Sequence, residues 1–183
     1  MCGIGGWVDF GGRSVSEMKA VGKTMISEMK HRGPDGFGLE TFSGDLGTVA
    51  MLMHRRLSIL GLGESGKQPM CSQNGRFWIT FNGEIYNFRE LRRELQAKGH
   101  SFRSESDTEV ILKSFREWGT ECIRRFRGMF ALGLYDHERR RILLARDRAG
   151  EIRHRGVDAG DRHHICALRE LQIAQIIGAV RGA

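Results

Sequence analysis

Apolar and polar positions change period several times along the chain, and each change marks an element. Ile4 to Phe10 carries Trp7, Val8 and Phe10 and reads as a first strand, closed by a Gly11-Gly12 turn. From Ser16 the apolar residues Met18, Val21, Met25, Ile26 and Met29 recur at helical spacing, a stripe suited to core packing. Arg32-Gly33-Pro34-Asp35-Gly36 breaks that helix. Thr48 to Met53 reads as a second strand running on through His54 toward Gly61, and a Gly-rich loop follows to Gln68-Pro69-Met70. Phe77 to Phe81 is rich in strand formers and is expected to stop at Asn82-Gly83, a pair suited to a tight turn. Asn87 with Glu90, and Ser106 with Glu109, have capping-box spacing. They introduce helices with Phe88, Leu91 and Leu95 on one apolar face, and Val110, Ile111, Phe115 and Trp118 on the other, ending at Gly99 and Gly119. A short helix is predicted over Thr120 to Phe126. Met129 to Tyr135 and Arg141 to Ala145 read as two strands joined by the polar turn Asp136-His137-Glu138. This order predicts an α+β layered domain instead of a strictly alternating α/β one.

Composition narrows the class. The 183 residues suffice for one domain with room for an appendage, and 25 Gly against 2 Pro point to turns and close backbone approaches. The net charge of +7 raises nucleic acid as a partner. Its basic residues lie in short clusters such as Arg92-Arg93 and Arg139-Arg140-Arg141, broken by acids and apolar residues, which reads as solvated faces. Neither nucleic acid nor membrane is expected as a partner. Cys2, Cys71, Cys122 and Cys166 form no CxxC pair and no disulfide framework, and no metal site is expected. No secretory leader pattern opens the chain and no apolar run nears the ~20 residues of a span, so the expectation is a soluble, cytoplasmic protein.

Candidate chemistry begins at Cys2. Removal of Met1 would leave a thiol and a free α-amine on one residue, a nucleophile beside its own base. With reference pKa values of about 8.5 and 7.7–8.0, both groups change protonation near neutral pH. Arg56 at a strand end, Asn82-Gly83-Glu84 at another and Asp107 in the first turn of a helix complete the set. A guanidinium matches a substrate carboxylate and an aspartate matches an ammonium. An Asn side-chain NH2 with a Gly backbone N–H can meet the negative charge that builds on an attacked amide, where losing one donor typically costs about 2.7–4 kcal/mol of barrier.

Seven motifs occur in register: Cys2-Gly3-Ile4, His31-Arg32-Gly33-Pro34-Asp35, His54-Arg55-Arg56-Leu57-Ser58-Ile59, Gly66-Lys67-Gln68-Pro69, Asn82-Gly83-Glu84-Ile85-Tyr86-Asn87, Ser106-Asp107-Thr108-Glu109 and Gly128-Met129-Phe130-Ala131. The set resembles the glutaminase domain of glutamine-hydrolysing asparagine synthetases, a class II glutamine amidotransferase domain. The resemblance implies the N-terminal-nucleophile hydrolase fold, a four-layer αββα sandwich of two antiparallel sheets. It further implies Cys2 as nucleophile, Asn82 and Gly83 as the oxyanion hole, and Arg56 and Asp107 on the carboxylate and ammonium of L-glutamine. Leu57, Ser58, Ile59, Leu60 and Glu84 would line the pocket, and Arg32 would support the Cys2 segment.

The likeness runs from Met1 to about Gly150. After Arg146-Asp147-Arg148-Ala149-Gly150 the family's pattern gives way to Glu151-Ile152-Arg153, and residues 151–183 carry no recognised motif. Domain boundaries of 1–150 and 151–183 follow, with a sandwich incomplete at its C-terminal end. Cys166 to Val180 has the spacing of a short helix, while His154, His163 and His164 read as solvated. No pyrophosphate-binding loop of the synthetase kind occurs, so no cofactor is expected in this chain. ATP and magnesium would belong to a separate synthetase domain or chain, the expected partner. The expected activity is glutamine hydrolysis to glutamate and ammonia. The alternatives are a non-catalytic remnant of a disrupted gene, and a module feeding ammonia to a different acceptor.

Overall fold

A computed structural model describes residues 2–10, 12–44, 49–57 and 66–147, together with the backbone of 174–177. Its strands and helices follow in the order β1 (Gly3–Asp9), α1 (Val15–Glu28), β2 (Gly36–Ser43), β3 (Val49–Arg56), β4 (Met70–Cys71) and β5 (Phe77–Ile85). Then come α2 (Phe88–Ala97), α3 (Asp107–Trp118), α4 (Cys122–Arg125), β6 (Gly128–Asp136), β7 (Arg141–Arg146) and β8 (Ala174–Ile177). The strands form two antiparallel sheets, one ordered β1-β3-β2 and the other β4-β5-β6-β7-β8.

Strand β3 shows why two sheets stack. It is central in its sheet and buried along nearly its whole length. Val49, Met51 and Met53 turn to α1, where Met18 and Ile26 meet them. Ala50 and Leu52 turn the other way, onto Phe42, Tyr135 and Ile142 between the sheets. A strand buried on both faces is apolar at consecutive positions, as Val49-Ala50-Met51-Leu52-Met53 is. On the far side, α2 and α3 cover the second sheet through Leu91, Leu95, Val110 and Ile111, against Ile79, Phe81, Leu132 and Leu134. Four layers result: α1, sheet, sheet, and the α2–α3 pair. Helix α1 crosses its sheet closely at Gly22, where a Cβ would overlap Leu39 Cδ1 and Met51 Sδ.

Local expectations fare unevenly. Helix α1 begins with a full capping box between Ser14 and Glu17, two residues before the predicted start. Ser106 caps α3 by accepting from the Glu109 N–H, but the Glu109 carboxylate turns away to the Arg103 and Ser104 N–H groups. Asn87 makes no cap bond. Its side chain instead donates to the Arg125 carbonyl and accepts from the Arg127 N–H, tying α2 to the chain entering β6. Strand β5 does not stop at Asn82-Gly83 but runs on to Ile85, pairing Asn82 with Ala131 and Gly83 with Phe130. Strands β2 and β4 were not predicted. The helix expected over Cys166–Val180 is replaced, in its described part, by β8, which pairs with β7 from Arg141↔Ile177 to Leu144↔Ala174. That pairing covers backbone groups of β7 that an open edge would leave exposed. Among the described residues, no helix is long and apolar enough to cross a membrane.

Candidate functional site

Two cross-sheet bonds fix which strand ends lie together. The Thr80 hydroxyl donates to the Met53 carbonyl at 2.8 Å, and the His54 ring hydrogen-bonds the Phe81 backbone. One step along β3 therefore matches one step forward along β5, so the two strands run in the same direction past each other. The C-terminal end of β3, at Arg55, Arg56 and Leu57, lies at the same end of the sandwich as Asn82, Gly83 and Glu84. Strand β1 runs antiparallel to β3 with Gly3 opposite Arg55, which brings Cys2 to this end too.

Here the Cys2 sulfur meets the Leu57 backbone. It accepts from the Leu57 N–H at 3.4 Å and faces the Leu57 carbonyl at 3.8 Å. The thiol is half-buried, and its segment is braced from behind. The Arg32 stem packs against Gly3, Gly33 presses on the Arg55-Arg56 backbone, and the Asp35 N–H donates to the Arg56 carbonyl at 3.0 Å. Arg32 thus sits behind the Cys2 segment. Next to Leu57, the half-buried Arg56 extends its guanidinium toward Gly66.

Asn82 is 4% exposed. Gly83 follows it with φ at +136°, a value that side-chain-bearing residues avoid. A Cβ there would drive into the Met129 carbonyl oxygen. On the other side of β6, the Phe130 N–H donates to the buried Asp147 carboxylate at 3.1 Å, which ties β6 to the chain leaving β7. Asp107 reaches the end of β5 from the first turn of α3, and its carboxylate accepts from the Ile85 N–H at 3.2 Å. Burial pushes its carboxyl above the ordinary range. Hydrogen bonds from Ile85, Thr108 and its own backbone oppose the shift, and the Glu84 charge adds to it. A desolvated anion of this kind gains from an incoming cation. Glu84 itself is exposed at this end. Thus Cys2, Arg56, Leu57, Asn82, Gly83, Glu84 and Asp107 sit at one end of the sandwich, while Ser58, Ile59 and Leu60 lie outside the described residues.

Gln68 was quoted within a motif but given no role. Buried at 8% exposure, it accepts from the Phe81 N–H at 2.6 Å and donates to the Thr108 hydroxyl at 3.3 Å. It joins the residue before Asn82 to the residue after Asp107. The Phe81 N–H needs such a partner because β4 pairs with β5 only as far as Ile79. A polar residue directly before Pro69 in a Gly-rich loop was the available signal.

The glutamine amidotransferase domain family matches the chain over residues 1–154. Among its relatives, asparagine synthetase [glutamine-hydrolyzing] 3 of Bacillus subtilis is 41% identical over 153 residues, covering 82% of this chain and 24% of that protein. Asparagine synthetase B [glutamine-hydrolyzing] of Escherichia coli is 38% identical over 152 residues, covering 83% of this chain and 26% of its own length. The chain thus spans about a quarter of the length of these relatives. A solved structure of glutamine phosphoribosylpyrophosphate amidotransferase from Bacillus subtilis superimposes with a TM-score of 0.61 at 20% identity, over 82% of this chain and 38% of that one, a likeness of fold. By the extent of the family match and by the sandwich that carries it, this chain belongs to the glutamine amidotransferase domain family.

Proposed function

We propose that the chain hydrolyses the side-chain amide of L-glutamine to glutamate and ammonia, with Cys2 as nucleophile once Met1 is removed. The observation that carries this reading is the Cys2 sulfur seated on the Leu57 backbone, at the end of the sandwich shared with Arg56, Asn82-Gly83 and Asp107. In this mechanism the freed α-amine takes the thiol proton as sulfur attacks the amide carbon. The oxygen gains negative charge, met by the Asn82 side-chain NH2 and the Gly83 N–H. The C–N bond breaks, the proton passes from the ammonium to the departing nitrogen, and ammonia leaves a γ-glutamyl thioester on Cys2. Water, deprotonated by the same amine, then releases glutamate. Arg56 holds the substrate carboxylate and Asp107 its ammonium, so a free amino acid with both charges is selected. Leu57, residues 58–60 and Glu84 line the pocket.

Residues 1–150 form the catalytic unit in this reading. The hydrolysis calls on no cofactor, and ATP and magnesium would serve a synthetase domain or chain that takes up the ammonia. A cytoplasmic setting fits a mechanism that needs a reduced thiol. Ammonia release from glutamine by Met1-processed protein tests the proposal. Cys2→Ala is expected to abolish it, and activity surviving in that variant would rule out Cys2 as nucleophile.

A further inference from the structure

A cavity of about 300 Å³ opens between the β4–β5 turn and the outer flank of α3, and none of the described glutamine-site residues lines it. Lys67, Arg103, Lys113 and Arg116 contribute four cations to its wall, and among the described residues Glu109 is the one lining carboxylate. That carboxylate is already engaged by the Arg103 N–H at 3.0 Å, the Ser104 N–H at 2.8 Å and the Ser104 hydroxyl at 2.8 Å. Lys113 is 6% exposed, and its ammonium donates to the neutral Gln73 Oε1 at 3.0 Å. Among the described residues, Arg103, Lys113 and Arg116 make no ion pair.

Several basic residues elsewhere on the molecule have acidic partners. Arg76 pairs with Asp136 at 2.9 Å, Arg92 with Glu105 at 3.1 Å, Lys98 with Glu117 at 3.2 Å and Arg125 with Glu94 at 3.0 Å. A buried ammonium is costly where cations outnumber the carboxylates around it, and the cost falls when an anion arrives. Burial holds the Lys113 ammonium below the ordinary lysine value. The Glu109 charge opposes that shift, and Arg116 and Arg103 add to it. The rest of the wall includes Pro69, Met70 and Leu112, which suit an apolar body attached to the charged group.

We infer that this cavity binds a small organic oxyanion, with Lys113 at its base, Arg103 and Arg116 at its rim, and the apolar wall against the ligand's carbon skeleton. The site is separate from the proposed glutamine chemistry and stands without it. Phenyl phosphate, with inorganic phosphate as the second probe, tests the inference by calorimetric titration of the full chain at fixed ionic strength. Saturable binding of phenyl phosphate is expected, with inorganic phosphate competing more weakly. Lys113→Met should weaken it by at least about tenfold, the scale of one lost charged contact. The double variant Arg103→Gln/Arg116→Gln leaves the buried lysine in place, should weaken binding to a similar degree, and decides the matter should Lys113→Met fail to fold. Arg89→Gln on α2 should change nothing. Absence of saturable binding, or undiminished binding in the rim variant, would overturn the inference. So would capture of an acidic peptide without phenyl phosphate binding, which would make this face a protein-docking surface instead.

Discussion

Gly83 meets two demands at one Cα: a positive φ of +136°, and contact with the Met129 carbonyl that excludes a Cβ. Gly83→Ala should therefore lose glutaminase activity and also destabilise the fold by at least about 1–3 kcal/mol, from strain alone. Denaturant melts and ammonia release check both halves. Asp107 separates stability from function. Its folded pKa is raised, so its contribution to stability is full below the unfolded value of 3.8 and is lost as pH rises through the folded value. Asp107→Asn removes that loss, and the variant should be more stable than the parent at neutral pH. The same change should raise KM for glutamine roughly thirtyfold or more, the equivalent of about 2 kcal/mol for one side of a desolvated charge pair. Unchanged KM would detach Asp107 from the substrate ammonium.

Strands β3 and β5 act as one positioning unit, and His54 marks their seam. Burial lowers its pKa from 6.5 to about 4, against the raising effect of its bond to the Phe81 backbone and with Arg56 adding to the fall. The unfolded chain thus binds a proton that the folded chain refuses. Stability is full above pH 6.5 and falls with pH down through about 4, by roughly 3 kcal/mol in all. His54→Gln should flatten the unfolding free energy between those limits, and an unaltered pH slope would place the acid sensitivity elsewhere. Gln68→Met should leave the buried Phe81 N–H unpaired, at a stability cost of about 1–3 kcal/mol, and lower kcat/KM with it. Gln68→Glu keeps the acceptor and should recover part of both. These elements were partly legible in the chain. The helices announced themselves through Ser106, Gly99 and Gly119 and through 3.6-residue spacing. Strand β2 did not, because its edge position buries little and Phe37, Leu39 and Phe42 break strict alternation. Asn82-Gly83 misled because a pair suited to a turn is here used mid-strand for a close backbone approach. Asn87 misled because two backbone partners around α4 outcompete the cap.

At the scale of the molecule, four layers bring residues from positions 2, 56, 82–84 and 107 to one end, a convergence that no periodicity could show. It was legible only through the motifs taken together, and β8 at the edge of β7 was legible through none. The chain spans about a quarter of its relatives' length, and in the proposed mechanism the first chemical step is attack of the Cys2 thiol on the glutamine amide. Intact-mass and peptide analysis of Met1-processed protein after treatment with an electrophilic glutamine analogue tests that step most directly. A single adduct on Cys2, with Cys71, Cys122 and Cys166 unmodified and labelling suppressed by glutamine and by Asp107→Asn, is the predicted result. Processed, folded protein that takes up no label, or takes it up on another cysteine, would contradict the account.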